Sequence, residues 1–180
     1  GKAFYWGTSE WPAESIIQAI EFARAEHLIP PVLEQTQYNI LTRKRFEQEY
    51  DVLYKQYGYG TTTYSPLSSG LLSGKYNTGQ IPEGSRPTLK GYEKLTGHFT
   101  DPVLLDIVRK FAPIADDLGI SLAQLSIAWL LKRPNVSSVI LGASNVNQLN
   151  ENMKALDAVP LLTDEVMARI EDAMAGYKEA

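Results

Sequence analysis

Gly142-Ala143-Ser144-Asn145 directly follows the apolar run Ser137-Ser138-Val139-Ile140-Leu141, and the residue types in this order suit anion binding. Val139, Ile140 and Leu141 read as a buried parallel strand. Gly142 lets the backbone turn sharply. Ser144 or Asn145 then caps a helix whose apolar positions include Val146, Leu149 and Met153. A strand, a tight turn and a fresh helix N-terminus aim free N–H groups and the positive helix end at one point, where a phosphate is the natural guest. An ordinary βα turn with a capped helix shows the same pattern.

Three other strand ends carry polar side chains: Ser9-Glu10-Trp11, Glu34-Gln35 and Tyr64-Ser65-Pro66-Leu67. Gln35 can donate to and accept from an amide, and Tyr64 offers a flat face for stacking on a ring. Lys75 and Arg86, in a following loop, reach toward a phosphate, and Ser144 with Gln148 completes such a pocket. The plainer alternatives are that Tyr64 is a core or rim aromatic and that Lys75 and Arg86 are solvated loop charges. Glu34 and Gln35 are neighbours in a strand, so one points inward, and a buried carboxylate needs a partner. No glycine fingerprint of the Rossmann or P-loop kind occurs, so any nucleotide is held another way. No Ser-His-Asp set or paired-carboxylate spacing stands out. His27 reads as the end of a helix, and His98 as a loop residue without an evident partner.

These residues need a scaffold of alternating strands and helices. Residues 3–8 read as a strand. Pro12 opens a helix to about His27 with Ile16, Ile20 and Ala23 inward and Ile17 widening the stripe. Pro30-Pro31 ends it, and residues 32–35 form a second strand. Thr42 caps a helix lined by Phe46, Tyr50, Leu53 and Tyr57, which Gly58 and Gly60 end. Residues 61–65 form a third strand. An irregular stretch from about Pro66 to Thr100 follows, dense in Gly, Ser and Pro, of a length usually kept for function. A helix then runs from Asp101-Pro102 to about Leu118, with Pro113 expected to kink or interrupt it. Ser121 and Gln124 form a capping box for a helix with Leu125, Ala128, Trp129 and Leu131. The strand at 137–141 and its helix come next. Thr163 opens a last helix with Val166, Ile170 and Ala173 inward. Strand–helix alternation predicts an α/β protein with a parallel sheet. Two architectures fit: a small open doubly wound sheet, or half of an eight-stranded βα barrel, which needs ~250 residues when whole. The chain opens on Gly1 and enters a strand almost at once, and this abrupt start favours half a barrel.

The chain has 180 residues, 44% hydrophobic and 21% charged, enough for one globular domain with a core. Its net charge of -4 provides no electrostatic footprint for nucleic acid or an anionic membrane. The sequence has no cysteine, which excludes disulfides, thiolate metal sites and cysteine nucleophiles, and its two histidines argue against a histidine metal site. No apolar run approaches the ~20 residues of a membrane-spanning helix. No secretory signal pattern is seen, so a cytoplasmic setting without direct membrane insertion is expected.

Several of these stretches together resemble the C-terminal half of an aldo-keto reductase, in the branch that includes voltage-gated potassium channel β subunits. They are Phe4-Tyr5-Trp6-Gly7-Thr8-Ser9-Glu10-Trp11, Glu34-Gln35-Thr36-Gln37-Tyr38-Asn39, the run from Tyr64 to Tyr76, Ser85-Arg86, Ile127-Ala128-Trp129 and the run from Ser137 to Ser144. The resemblance covers essentially the whole chain, as one partial barrel domain over residues 1–180 that lacks the N-terminal half.

It implies a (β/α)8 barrel that binds NADP(H) in an extended form, with the present strands as the fifth to eighth. Tyr64 then stacks on the nicotinamide, Gln35 bonds its carboxamide, and Ser9 and Glu10 lie close by. Ser65, Pro66, Leu67, Ser68 and Ser69 wrap the pyrophosphate, with Lys75 and Arg86 closing over it. Gly142, Ser144 and Gln148 hold the 2′-phosphate side, and Glu151 and Asn152 the adenine. Glu10 stands where animal channel subunits carry a basic residue, and Tyr64 where they carry Trp, which points to a plant- or fungal-type relative. The family's catalytic Asp, Tyr, Lys and His or Asn lie on the first four strands, so no catalytic residue is assigned in this chain. The resemblance therefore implies an NADPH-dependent reductase of aldehydes and ketones, seen as its cofactor-binding half. The alternatives are a channel-associated subunit that senses NADP(H), with a homo-oligomeric assembly, and an inactive truncated chain.

Overall fold

The computed structural model describes residues 2–92 and 96–179. Four parallel strands form one sheet: β1 (Thr8–Ser9), β2 (Leu33–Gln37), β3 (Gly60–Tyr64) and β4 (Ser138–Val139). They lie side by side in chain order, β1-β2-β3-β4. A doubly wound sheet reverses its strand order at a switch point. Units laid down in one direction instead suit an arc of a βα barrel. Of the two architectures open in the sequence, this α/β arrangement fits the partial barrel.

Helices α1 (Ala13–Ala25), α2 (Asp51–Tyr57), α3 (Thr96–Thr100), α4 (Pro102–Asp117), α5 (Leu122–Leu131), α6 (Val146–Met153), α7 (Ala155–Ala158) and α8 (Asp164–Ala173) complete the fold among the described residues. In α1 the predicted stripe Ile16, Ile20 and Ala23 is buried and packs, through its isoleucines, with Tyr50, Leu53 and Tyr59. The larger core joins α4, α5 and α8 around Phe111, Trp129 and Ile170. Both features of the predicted capping box are formed at the start of α5: Ser121 accepts from the Gln124 amide, and Gln124 accepts from the Ser121 amide. Asp101 caps α4, which continues through Pro113 without the expected interruption. Among the described residues no single helix is long and apolar enough to cross a membrane; α4 and α5 reach that composition only as a pair bent by 89°.

The sheet has two unlike faces. Thr8, Glu34, Thr36, Thr61 and Thr63 point toward the helices and are buried. Their neighbours Ser9, Gln35, Gln37, Thr62 and Tyr64 point the other way, where no layer of described residues covers them fully. This is the period-two alternation of a strand.

Several expectations are corrected. The first strand is confined to Thr8–Ser9 rather than starting at Ala3. Opposite its expected start lie Pro30 and Pro31, which have no N–H to donate, so a single bond from the Val32 amide to the Trp6 carbonyl (3.0 Å) is formed there. Phe4 and Tyr5 are accordingly exposed. The strand expected at 137–141 is short and half-exposed, because β4 has only β3 beside it among the described residues. Ile140 is 40% exposed. The single helix expected from Thr42 to Tyr57 is broken: Arg45–Glu49 is π-helical and α2 begins at Asp51. Thr42 does not cap it but bridges Asn39. Glu179 instead accepts from the amides of Arg43 (2.6 Å) and Lys44 (2.8 Å). The irregular stretch after Pro66 contains α3 and two 3₁₀ turns, Ser68–Ser73 and Arg86–Thr88; residues 93–95 of it lie outside the described residues.

Candidate functional site

Parallel pairing sets the site's geometry. The register Ser9↔Gln35↔Thr62↔Ser138 puts four hydrogen-bonding side chains in one row across all four strands, on the face away from the helices. One step toward the C-terminal ends, Gln37 pairs with Tyr64. The predicted Ser9, Gln35 and Tyr64 are thus brought onto one surface. Sequence reading missed Gln37 and Thr62, although alternation from Gln35 and Tyr64 marks both.

Glu34 turns to the opposite face and is fully buried, as one member of the Glu34-Gln35 pair had to be. The Thr8 hydroxyl and the Trp11 amide (3.2 Å) donate to its carboxylate. Burial pushes the Glu34 carboxyl above its ordinary range; these donors and the Glu10 amide pull it back, and the nearby Glu10 charge adds to the rise. Glu34 thereby ties the end of β1 to β2 beneath the open row.

Glu10 has a φ of 59° and closes the edge of that row. Its carboxylate accepts from the Gln37 amide (2.7 Å) and pairs with Arg45 (2.5 Å). Burial first, and then the Glu10 carboxylate, push the Tyr64 phenol above its ordinary value. A cleft of about 640 Å³ opens at this edge, lined by Glu10, Gln37, Arg45, Glu49 and Glu179 among others. Arg45 had no place in the sequence reading, because its partner lies on another βα unit.

The loop after β3 is wound tightly. Ser65, Ser68 and Ser69 have φ of 55°, 47° and 58°, and Gly70 has 102°. Non-glycine residues in this region are strained, and such strain collects at ligand sites. The Asn39 amide group anchors the loop by donating to the Ser65 carbonyl at 3.0 Å. Pro66 is buried and Leu67 half-buried, so these two serve as its floor. Arg86 donates to the Ser69 hydroxyl at 3.4 Å. Lys75 lies against the turn, since a Cβ on Gly70 would come within 3.3 Å of its Nζ. Lys75 and Arg86 have no carboxylate within ion-pair distance among the described residues; each lies near an aromatic ring, Tyr76 and Tyr92 respectively. His98, expected to lack a partner, has its Nε2 3.0 Å from the Ser68 hydroxyl.

At the end of β4, Asn145 rather than Ser144 caps α6, accepting from the Gln148 amide at 2.9 Å. The Gln148 side-chain oxygen accepts from both the amide and the hydroxyl of Ser144, each at 2.9 Å. It sits where an anionic oxygen is held at a helix start. Gly142 is exposed, and a Cβ there would meet nothing. Asn152 is buried and turns inward, donating to the Gly142 carbonyl at 3.4 Å. Glu151 is tied to Lys154 (2.5 Å) and accepts from Gln124 (3.1 Å). The apolar residues Val146, Leu149 and Met153 stay exposed rather than facing a core.

The aldo/keto reductase family model matches residues 1–175. A probable voltage-gated potassium channel subunit beta of Oryza sativa subsp. japonica is 52% identical over 171 residues, 95% of this chain and 52% of the relative. One of the same name from Arabidopsis thaliana is 49% identical over 174 residues, 97% of this chain and 53% of the relative. A putative voltage-gated potassium channel subunit beta of Schizosaccharomyces pombe is 48% identical over 177 residues, 97% of this chain and 51% of the relative. The chain spans about half the length of the curated relatives it matches. It belongs to the aldo/keto reductase family.

Proposed function

We propose that this chain is the C-terminal half of a (β/α)8 barrel and holds NADP(H) for the reduction of aldehydes or ketones to alcohols. The observation that carries this reading is the convergence, at the strand ends, of the Ser9–Gln35–Tyr64 surface with a strained serine turn flanked by two cations that have no carboxylate partner among the described residues. That donor set fits a dinucleotide. Gln35 offers both a donor and an acceptor to a carboxamide, Tyr64 a ring face, and Lys75 and Arg86 compensate a pyrophosphate held over residues Ser65, Pro66, Leu67, Ser68 and Ser69. A 2′-phosphate fits at Ser144, taking the place of the Gln148 carboxamide oxygen, with Gly142 leaving room for its approach. Glu151 and Asn152 border the adenine end, Asn152 by holding the Gly142 loop. When bound, the cofactor supplies hydride to the carbonyl carbon. The residues of this chain bind and orient it, and Glu10 fixes the rim of the ring site. Proton donation falls to the other half of the barrel.

The test is titration of NADPH and NADH, read by tryptophan fluorescence. Trp11 is 42% exposed beside Glu10 and reports occupancy of the strand-end face. Saturable quenching, stronger for NADPH, is expected, with roughly tenfold weaker binding in Tyr64→Ala from the lost ring contact. A folded chain that shows no quenching refutes the reading.

The relatives, named as voltage-gated potassium channel subunits beta, favour a second role as a channel subunit; with it we propose a cytoplasmic, homo-oligomeric protein that docks on the cytoplasmic domain of the channel. Co-purification of the full-length protein with such a domain supports that role, and carbonyl turnover without any such association refutes it.

A further inference from the structure

We propose that His98 is a positioning residue for the Ser68–Gly70 turn; the inference rests on the dinucleotide reading and adds to it a residue outside the Lys75 and Arg86 pair. Ser68, Ser69 and Gly70 are consecutive residues of positive φ. Each meets a basic side chain from the segment that follows. His98 Nε2 lies 3.0 Å from the Ser68 hydroxyl, Arg86 donates to the Ser69 hydroxyl at 3.4 Å, and Lys75 lies against Gly70. Serines held in the left-handed region persist only where their surroundings over-determine them.

Ser68 is only 4% exposed, so its hydroxyl depends on a protein partner, and among the described residues His98 is the side chain that meets it. His98 is held in turn by its own helix. The neighbouring Phe99 is fully buried, with its ring 4.4 Å from that of Tyr76, and the His98 ring stands edge-on to Phe99 at 5.3 Å. Tyr76 follows Lys75 directly. One aromatic contact therefore registers α3 against the Lys75 end of the turn and sets His98 over Ser68. A serine–histidine pair also suggests a nucleophile, but an enclosed, strained hydroxyl leaves a substrate little room.

The experiment titrates NADPH, and separately adenosine 2′-phosphate, into the wild-type chain and into His98→Ala, His98→Gln, Ser68→Ala and the double variant His98→Ala with Ser68→Ala. NADPH should bind about fivefold more weakly to His98→Ala and to Ser68→Ala, as for one lost hydrogen bond. The double variant should be no weaker than either single one, and His98→Gln, whose side-chain amide can either donate to or accept from the Ser68 hydroxyl, should recover most of the loss. Adenosine 2′-phosphate, which reaches only the Ser144 end, should bind all variants equally. Amide exchange at Ser68, Ser69 and Gly70 should accelerate in His98→Ala while that of buried Phe111 stays unchanged. Wild-type NADPH affinity in His98→Ala, or an equal loss for adenosine 2′-phosphate, overturns the proposal. A wild-type chain that binds no NADPH defeats the dinucleotide reading instead. Exchange then decides the role of His98 alone, and unchanged exchange at Ser68–Gly70 overturns it.

Discussion

Gly74→Ala tests whether the turn before Lys75 is held as tightly as its geometry requires. Gly74 ends the 3₁₀ turn Ser68–Ser73 with φ 79° and ψ -5°. An alanine in this left-handed region costs about 1–2 kcal/mol. A Cβ at this position also falls 2.6 Å from Leu122 Cδ1, well inside an ordinary carbon–carbon contact. Leu122 begins α5 and meets the turn with the end of a flexible side chain, so relief by an off-rotamer shift costs about 0.5–1.5 kcal/mol. The smaller unfolded-state entropy of alanine returns about 0.4–1 kcal/mol. The net loss is about 0.5–3 kcal/mol, centred on ~2 kcal/mol. Urea unfolding monitored by circular dichroism should show it as a midpoint lowered by about 1 M at an m-value of roughly 2 kcal/mol/M. Repeating Gly74→Ala in a Leu122→Ala background should recover only the steric share, about 1 kcal/mol, and leave the backbone share. A single variant within about 0.5 kcal/mol of wild type, or an undiminished penalty in the Leu122→Ala background, refutes the reasoning.

Two carboxylates should give opposite pH signatures. Burial raises the folded pKa of Glu34 above its ordinary value of about 4.5, so its contribution to stability is complete below that value and is lost as pH rises through the folded pKa. Glu34→Gln keeps an acceptor for the Trp11 amide, and in urea titrations at successive pH values it should gain on wild type as the pH is raised from 4 to 8; a constant difference refutes the assignment. Glu171 behaves in the reverse sense: burial opposes, but Arg43 (2.7 Å) and Arg133 (2.9 Å) hold its carboxyl below the ordinary range. Its contribution is present above the unfolded value and is lost as pH falls through the folded one, so Glu171→Gln should lose most against wild type near neutral pH and converge with it in acid. A loss in acid as large as at neutral pH refutes that pairing.

Local pattern was legible wherever one element determined the outcome. The Ile16, Ile20 and Ala23 stripe, the Ser121–Gln124 capping box and the Asp101 region as a helix start depend on residues three or four apart, and they stand as read. The polar strand ends were legible too, because alternation requires one of Glu34 and Gln35 to face in and the other out; the structure buries Glu34. Where a distant partner decides, local reading failed. Thr42 was a plausible cap, but the acceptor for the Arg43 and Lys44 amides is Glu179, 136 and 135 positions away. The apolar residues at 3–6 were a plausible strand until Pro30 and Pro31 lay opposite.

The amino-acid order by itself determined the α/β alternation, the parallel sheet, the chemical character of four strand ends and the family resemblance, because each rests on propensity, periodicity or short motifs. Only the tertiary structure decided the strand order that favours an arc over a doubly wound sheet, the row Ser9–Gln35–Thr62–Ser138, the Glu10–Arg45 pair and the His98–Ser68 contact. Those features join direct partners 26 to 76 positions apart, and the register of parallel strands and the docking of short helices that bring them together depend on packing across the whole core.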